Sequence, residues 1–232
     1  MAIDKYDLDM VNEWIGLYLK KNSQNENQET KDANTKYLIL KLESKFMSDF
    51  TDEVTKDFKT TIFPGYIYGK DYNLLNISIA LKNNLLFDWC IDKGFDPNFV
   101  ATTGKYFANT EKSIVLSAYE GNIYTLEKLI KIGIDPVGVF QSGHNVVRGG
   151  TLLHQVMSNH IIMNKEDVIK TLSNAYPHFN MKDYNGMSII DVSVDNIGVD
   201  YIKEKIVENE KKLLMEVISK NHEHDTKVKK RL

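Results

Sequence analysis

The sequence predicts an all-α chain, a helix-turn-helix solenoid closed at its N-terminal end by a helical cap. Three observations predict it. A turn-and-helix pattern recurs four times at nearly constant spacing, two copies end on the same glycine-containing stop, and residues 1–66 carry two amphipathic stripes but no copy of the pattern.

Within residues 1–66, LDMVNEWIGLYL sets Val11, Trp14, Ile15 and Tyr18 at i, i+3, i+4 and i+7, one apolar stripe of a helix. KYLILKLESKFMSDF sets Ile39, Leu42, Phe46 and Phe50 on a second. Between them, the polar and aperiodic NSQNENQETKDANT predicts an exposed, mobile connector over residues 22–35. IFPGYIYGK then turns at Pro64-Gly65 into the first copy. The two helices are expected to cover the open end of the array, because a terminal repeat otherwise exposes its core face.

The array spans residues 67–220. Its copies anchor on Asn73 in YNLLNISIA, Lys112 in EKSIVLSAYEGN, Thr151 in GGTLLHQVM and Ser188 in GMSIIDVS, which stand 39, 39 and 37 residues apart. Thr151 and Ser188 can cap the following helix through a side-chain oxygen. The stops are CIDKGFDPN and LIKIGIDPV: Gly94 and Gly133 suit the left-handed conformation that closes a helix, and Pro97 and Pro136 forbid its continuation. At the far end, VDYIKEKIVENEKKLLMEVISK is a long helix whose charged face is expected to cover the array, and residues 221–232 are a charged, frayed tail.

These motifs resemble the ankyrin repeat, whose first helix carries G-x-T-P-L-H and whose second ends on G-A-D-x-N. TLLH at 151–154 matches three of the four TPLH letters, and GFDPN at 94–98 matches four of five in the stop. The resemblance runs from about Gly69 to the helix after Gly198. It departs from the family in lacking the helix-1 proline throughout, and in a period about six residues longer than the usual ~33. It implies about four repeats stacked into a curved solenoid, turns projecting from one side, and no catalytic activity. The excess length falls in two enlarged turns, FVATTGKYFANTEK and GVFQSGHNVVRGG; in the third copy the stop is degraded to NAYPHFN and extra residues enter near NHIIMNKED.

Composition narrows the chemistry. The net charge is −3, and only Arg148 and Arg231 among 29 basic residues are arginines, so bidentate readout of nucleic acid has little to work with. The single cysteine, Cys90, forms no internal disulfide, which suits a reducing compartment. MAIDKYDLDM lacks the basic flank and apolar run of a signal peptide, and no stretch approaches the ~18 apolar residues of a membrane span. A cytoplasmic location follows as the expectation, in the producing cell or in a host. His154 holds the family's structural histidine position, Cys90 replaces a core leucine, and His222 and His224 are two residues apart, off a common helical face. No G-x-S-x-G, G-x-x-x-x-G-K-[ST], H-E-x-x-H or C-x-x-C occurs.

The expectation is therefore a non-enzymatic protein-binding module, monomeric until it meets another protein, with no catalytic residue, cofactor or metal. Its binding residues are expected in the enlarged turns, at Tyr106, Phe107, Phe140, His144 and Arg148, since aromatic and arginine side chains dominate binding hot spots. The bland alternative is that these aromatics pack against neighbouring loops. The rival function is an enzyme, or an enzyme-delivering protein similar in outline to bacterial ankyrin effectors, with its site between the N-terminal helices and the first repeats.

Overall fold

A computed structural model describes residues 5–22, 27–46, 58–59, 63–67, 70–98, 112–136 and 149–229, and these are mostly helical. The chain divides into two compact units, Met1–Ile134 and Asp135–Leu232. The boundary falls inside the expected array, between its second and third copies.

The N-terminal unit opens with α1 (Lys5–Asn22) and α2 (Gln28–Phe46), which pack on each other. Val11, Ile15 and Tyr18 are buried as the stripe predicts, and Trp14 is half-buried. One expectation fails on α2. Residues 28–35 are helix and not connector, because Asn27 starts the helix: its side-chain oxygen accepts from the Thr30 N–H (2.9 Å) and its carbonyl from Lys31. The buried face of α2 is Thr35, Leu38 and Leu42. Of the predicted stripe, Leu42 is buried and Ile39 half-buried, while the side chains of Phe46 and Phe50 lie outside the described residues. Thr35 escapes an apolar count, yet it is fully buried because the Tyr18 hydroxyl lies 3.2 Å from its own.

Pro64 and Gly65 do not make a turn. They lie in β1 (Phe63–Ile67), which pairs antiparallel with β2 (Lys70–Tyr72), Phe63 opposite Tyr72 and Ile67 opposite Lys70, with an irregular register between. A two-stranded hairpin has only edges, so proline costs no ladder bond it needs. Phe63 and Tyr72 are buried, and β1 rests against α1 and against α3 (Leu74–Ala80).

The first two copies are helix pairs: α3 with α4 (Asn84–Asp92), then α5 (Ser113–Tyr119) with α6 (Ile123–Lys131). Asn73 caps α3 through Asn76, whereas Lys112 stands at the start of α5 without a side-chain cap bond. Asn83 and Asn122 cap the second helix of each pair. The stops form as expected. Gly94 (φ +75°) and Gly133 (φ +87°) are left-handed, the N–H of Phe95 reaches back to the Cys90 carbonyl, and that of Ile134 to Leu129. Buried polar side chains tie the two pairs together: the Ser113 hydroxyl donates to Asn76 Oδ1 (2.8 Å), and the Asn122 amide donates to the Ile79 carbonyl.

The C-terminal unit contains α7 (Leu152–Met157), α8 (Lys165–Ala175) and α9 (Val199–Lys229). Thr151 caps α7 in a reciprocal box with His154. In the fourth copy, Ser188 and Asp191 exchange the same pair of bonds, but residues 189–192 close only one turn and not the expected helix. Ile189, Ile190, Val192 and Val194 are β-branched, and the Val194 N–H leaves the turn to bond the Met157 carbonyl. Lys165 is buried, its ammonium donating to the Met157 carbonyl (3.2 Å) and paired with Asp195 at 2.7 Å. The backbone of α9 continues through Lys229, so most of the expected frayed tail is helical. Ile202 is buried at its start, but every residue from 211 to 220 is exposed, and that stretch therefore covers no apolar end.

Candidate binding surface

Tyr106, Phe107, Phe140, His144 and Arg148 all lie outside the described residues. What is described is how their two turns are anchored. The Pro97 carbonyl accepts from the Ser113 N–H (3.3 Å), and the Pro136 carbonyl accepts from the Leu152 N–H (3.2 Å). In both cases the acceptor is the proline of the stop and the donor is the first residue of the next helix, whose N–H has no partner within that helix. Each enlarged turn thus leaves and re-enters the helical framework at one hydrogen bond.

A second surface lies between α2 and α4. Trp89 Nε1 donates to Glu43 Oε1 (3.0 Å), and Lys93 sits 3.1 Å from the same oxygen and 5.9 Å over the Trp89 ring. The bonds from Trp89 and Lys93 hold the Glu43 carboxyl below its usual range. The same clamp recurs on α6, where Tyr124 donates to Asp88 and Lys128 lies 5.3 Å over the Tyr124 ring and 3.5 Å from Asp88. In the C-terminal unit Tyr201 donates to Asn174 while Lys205 stands 5.7 Å over its ring. An aromatic residue and a lysine four positions later share one helical face, which is why the motif can grip a carboxylate or amide on a neighbouring helix.

Beside the first clamp is an open groove of about 460 Å³ floored by Ile39, Leu40, Leu85 and Trp89, with Lys36, Asp88 and Asp92 on its rim. Leu40 is 63% exposed there. Sequence reasoning missed this groove, although the apolar residues of KYLILKL cover more than one helical face and Leu40 falls off the predicted stripe. An apolar floor with a mixed-charge rim suits a side chain of another protein. Three polar side chains between α1, α2 and the first copy bond one another: the Asn83 amide donates to the hydroxyls of Tyr18 and Thr35 while its oxygen caps α4.

Cys90 is fully buried, and burial pushes its thiol well above the usual range, away from the thiolate a nucleophile needs. Among the described residues no group of three or more His, Cys, Asp or Glu is placed to hold a metal; the side chains of His222 and His224 lie outside them. No described helix is long and apolar enough to cross a membrane.

His154 is fully buried, its Nδ1 accepting from the Thr151 N–H (3.2 Å) and lying 2.9 Å from the Thr151 hydroxyl. Burial lowers its affinity for a proton, opposed by the Asp183 carboxylate and the carbonyls of Met181 and Met187. A histidine depressed in the fold leaves the unfolded chain holding more protons below about pH 6.5, so stability falls as the pH drops through that value. Urea unfolding at pH 7.5 and 5.5 should show a lower midpoint at pH 5.5, and a smaller difference in His154→Asn. Equal midpoints in the wild-type chain would show that His154 does not carry this penalty.

No family model matches the chain, and no curated protein matches it.

Proposed function

We propose that the chain is a non-enzymatic protein-binding module built on ankyrin-like repeats, working in the cytoplasm of its own cell or of a host. The observation that carries this reading is the closing of both enlarged turns at their base by the same proline-carbonyl bond, since connecting segments held at their ends are where recognition residues are commonly carried. Supporting it are the Thr151–His154 box, the left-handed Gly94 and Gly133, and the buried Ser113–Asn76 bond between copies. A lone, buried thiol suits a reducing compartment. The rival enzyme reading has less behind it, because Tyr18, Thr35 and Asn83, three polar groups where its site would lie, bond one another.

Photo-crosslinking from positions 107 and 140, followed by mass spectrometry, tests the reading. A specific protein should be captured at both, and Phe107→Ala/Phe140→Ala should weaken its binding by about 2 kcal/mol or more without changing the unfolding midpoint. Normal binding by the double variant would move the surface to the α2–α4 groove. Absence of any specific crosslink from positions 107, 140 and 40 would remove the binding-module reading.

A further inference from the structure

Two independent features mark the last part of α9. The first is charge. Residues 211–232 hold seven basic residues (Lys211, Lys212, Lys220, Lys227, Lys229, Lys230 and Arg231) and three acidic ones (Glu216, Glu223 and Asp225), a net +4. Since the whole chain is −3, residues 1–210 carry −7. Such an asymmetry marks a segment that meets an anionic surface. The second is apolar exposure. Every residue from 211 to 220 is exposed, and among them Leu213, Leu214, Val217 and Ile218 are between 45% and 61% exposed.

At about 100° per residue these four side chains share one face, with 213 beneath 217 and 214 beneath 218. Lys211 and Lys220 fall at the two edges of that face, and Lys212 and Glu216 on the far side. Apolar residues centred between lysines are the arrangement of a helix lying in a bilayer interface, where the lysine stems lie along the acyl boundary and the ammonium groups reach the headgroups. A helical stretch that buries no face in the fold gains most from such a surface.

We propose that residues 211–220 of α9 dock on an anionic lipid surface, lying on the membrane without spanning it. The apolar face supplies one attachment signal and the basic segment the second, and reversible anchoring needs both. The anionic leaflet faces the cytoplasm, so the proposal fits a cytoplasmic protein but does not depend on what the repeats bind.

Co-sedimentation of the full chain with vesicles tests it. Binding is expected to phosphatidylcholine vesicles containing 30% phosphatidylserine, to be weak on pure phosphatidylcholine, and to fall when salt is raised from 0.1 to 0.5 M. Lys211→Gln and Lys220→Gln should each weaken binding about fivefold. Leu214→Glu should abolish it with an unchanged unfolding midpoint, since the side chain is exposed. Equal binding to neutral vesicles, or wild-type binding by Leu214→Glu, overturns the proposal. So does failure to bind anionic vesicles, whether accompanied by retention on polyglutamate, which would assign the segment to an acidic protein, or by self-association that Leu214→Glu removes.

Discussion

Gly198→Ala should lower the stability of the C-terminal unit by about 2–5 kcal/mol in urea unfolding, several times the effect of adding one methyl at most sites. Gly198 has φ +76°, where an L side chain is strained by roughly 1–2 kcal/mol. An added Cβ there would also stand 2.6 Å from Ile169 Cδ1 and 3.1 Å from its Cγ2. Ile169 is fully buried on α8, so the overlap cannot be relieved by swinging it into solvent, and overpacking adds about 1–3 kcal/mol. Gly133→Val is the matched control: φ is +87° but nothing lies within 4 Å of an added Cβ, so it should cost only the strain, roughly 1–2 kcal/mol. Ile169→Val removes Cδ1 and should recover part of the Gly198→Ala loss in a double-mutant cycle. Additivity within about 0.5 kcal/mol would mean that α8 and α9 do not approach closely at this glycine.

Asn83→Ala should cost about 2–4 kcal/mol. Its oxygen caps α4 at the Leu86 N–H (2.9 Å), worth about 1 kcal/mol. Its amide donates to the hydroxyls of Tyr18 on α1 and Thr35 on α2, both buried, and losing these two bonds costs about 1–3 kcal/mol. Tyr18→Phe alone, which removes one hydroxyl and leaves the cap, should cost about 1 kcal/mol. Guanidinium unfolding with amide exchange at Leu86 separates the contributions, and an Asn83→Ala chain within about 0.5 kcal/mol of wild type would show that this triad does not fasten α1 and α2 to α4.

The features legible in the sequence were those written in a local code. Gly94 and Gly133 were identifiable because a glycine followed by an apolar residue, aspartate and proline leaves one backbone solution, and Thr151 because its histidine partner sits three positions on. What was missed depends on partners distant in sequence. Thr35 joins the buried face of α2 only because Tyr18 and Asn83 satisfy it, 17 and 48 residues away. The start of α2 hides in a polar stretch because its first turns bury little, and an apolar period cannot report them. Pro64-Gly65 carries a turn composition, but packing of Phe63 and Tyr72 selects a strand. The fourth copy keeps the bonds between positions 188 and 191 yet loses its helix to the Met157 carbonyl, 37 residues before Val194. The groove at Leu40 and Leu85 was illegible for the same reason: it belongs to two helices that the sequence keeps far apart.

The proline-carbonyl bonds at Ser113 and Leu152 have a consequence for how such a chain can change over time. A segment whose two ends are already held together incurs only loop entropy when it lengthens, about 0.6 kcal/mol for each doubling. Insertions between Pro97 and Lys112 are therefore nearly free of folding constraint, while a change at Pro97 or Ser113 is not. Selection can act on the content of these segments as a trait separate from foldability, and a foreign sequence grafted between the same two anchors should inherit the framework without having to rebuild it.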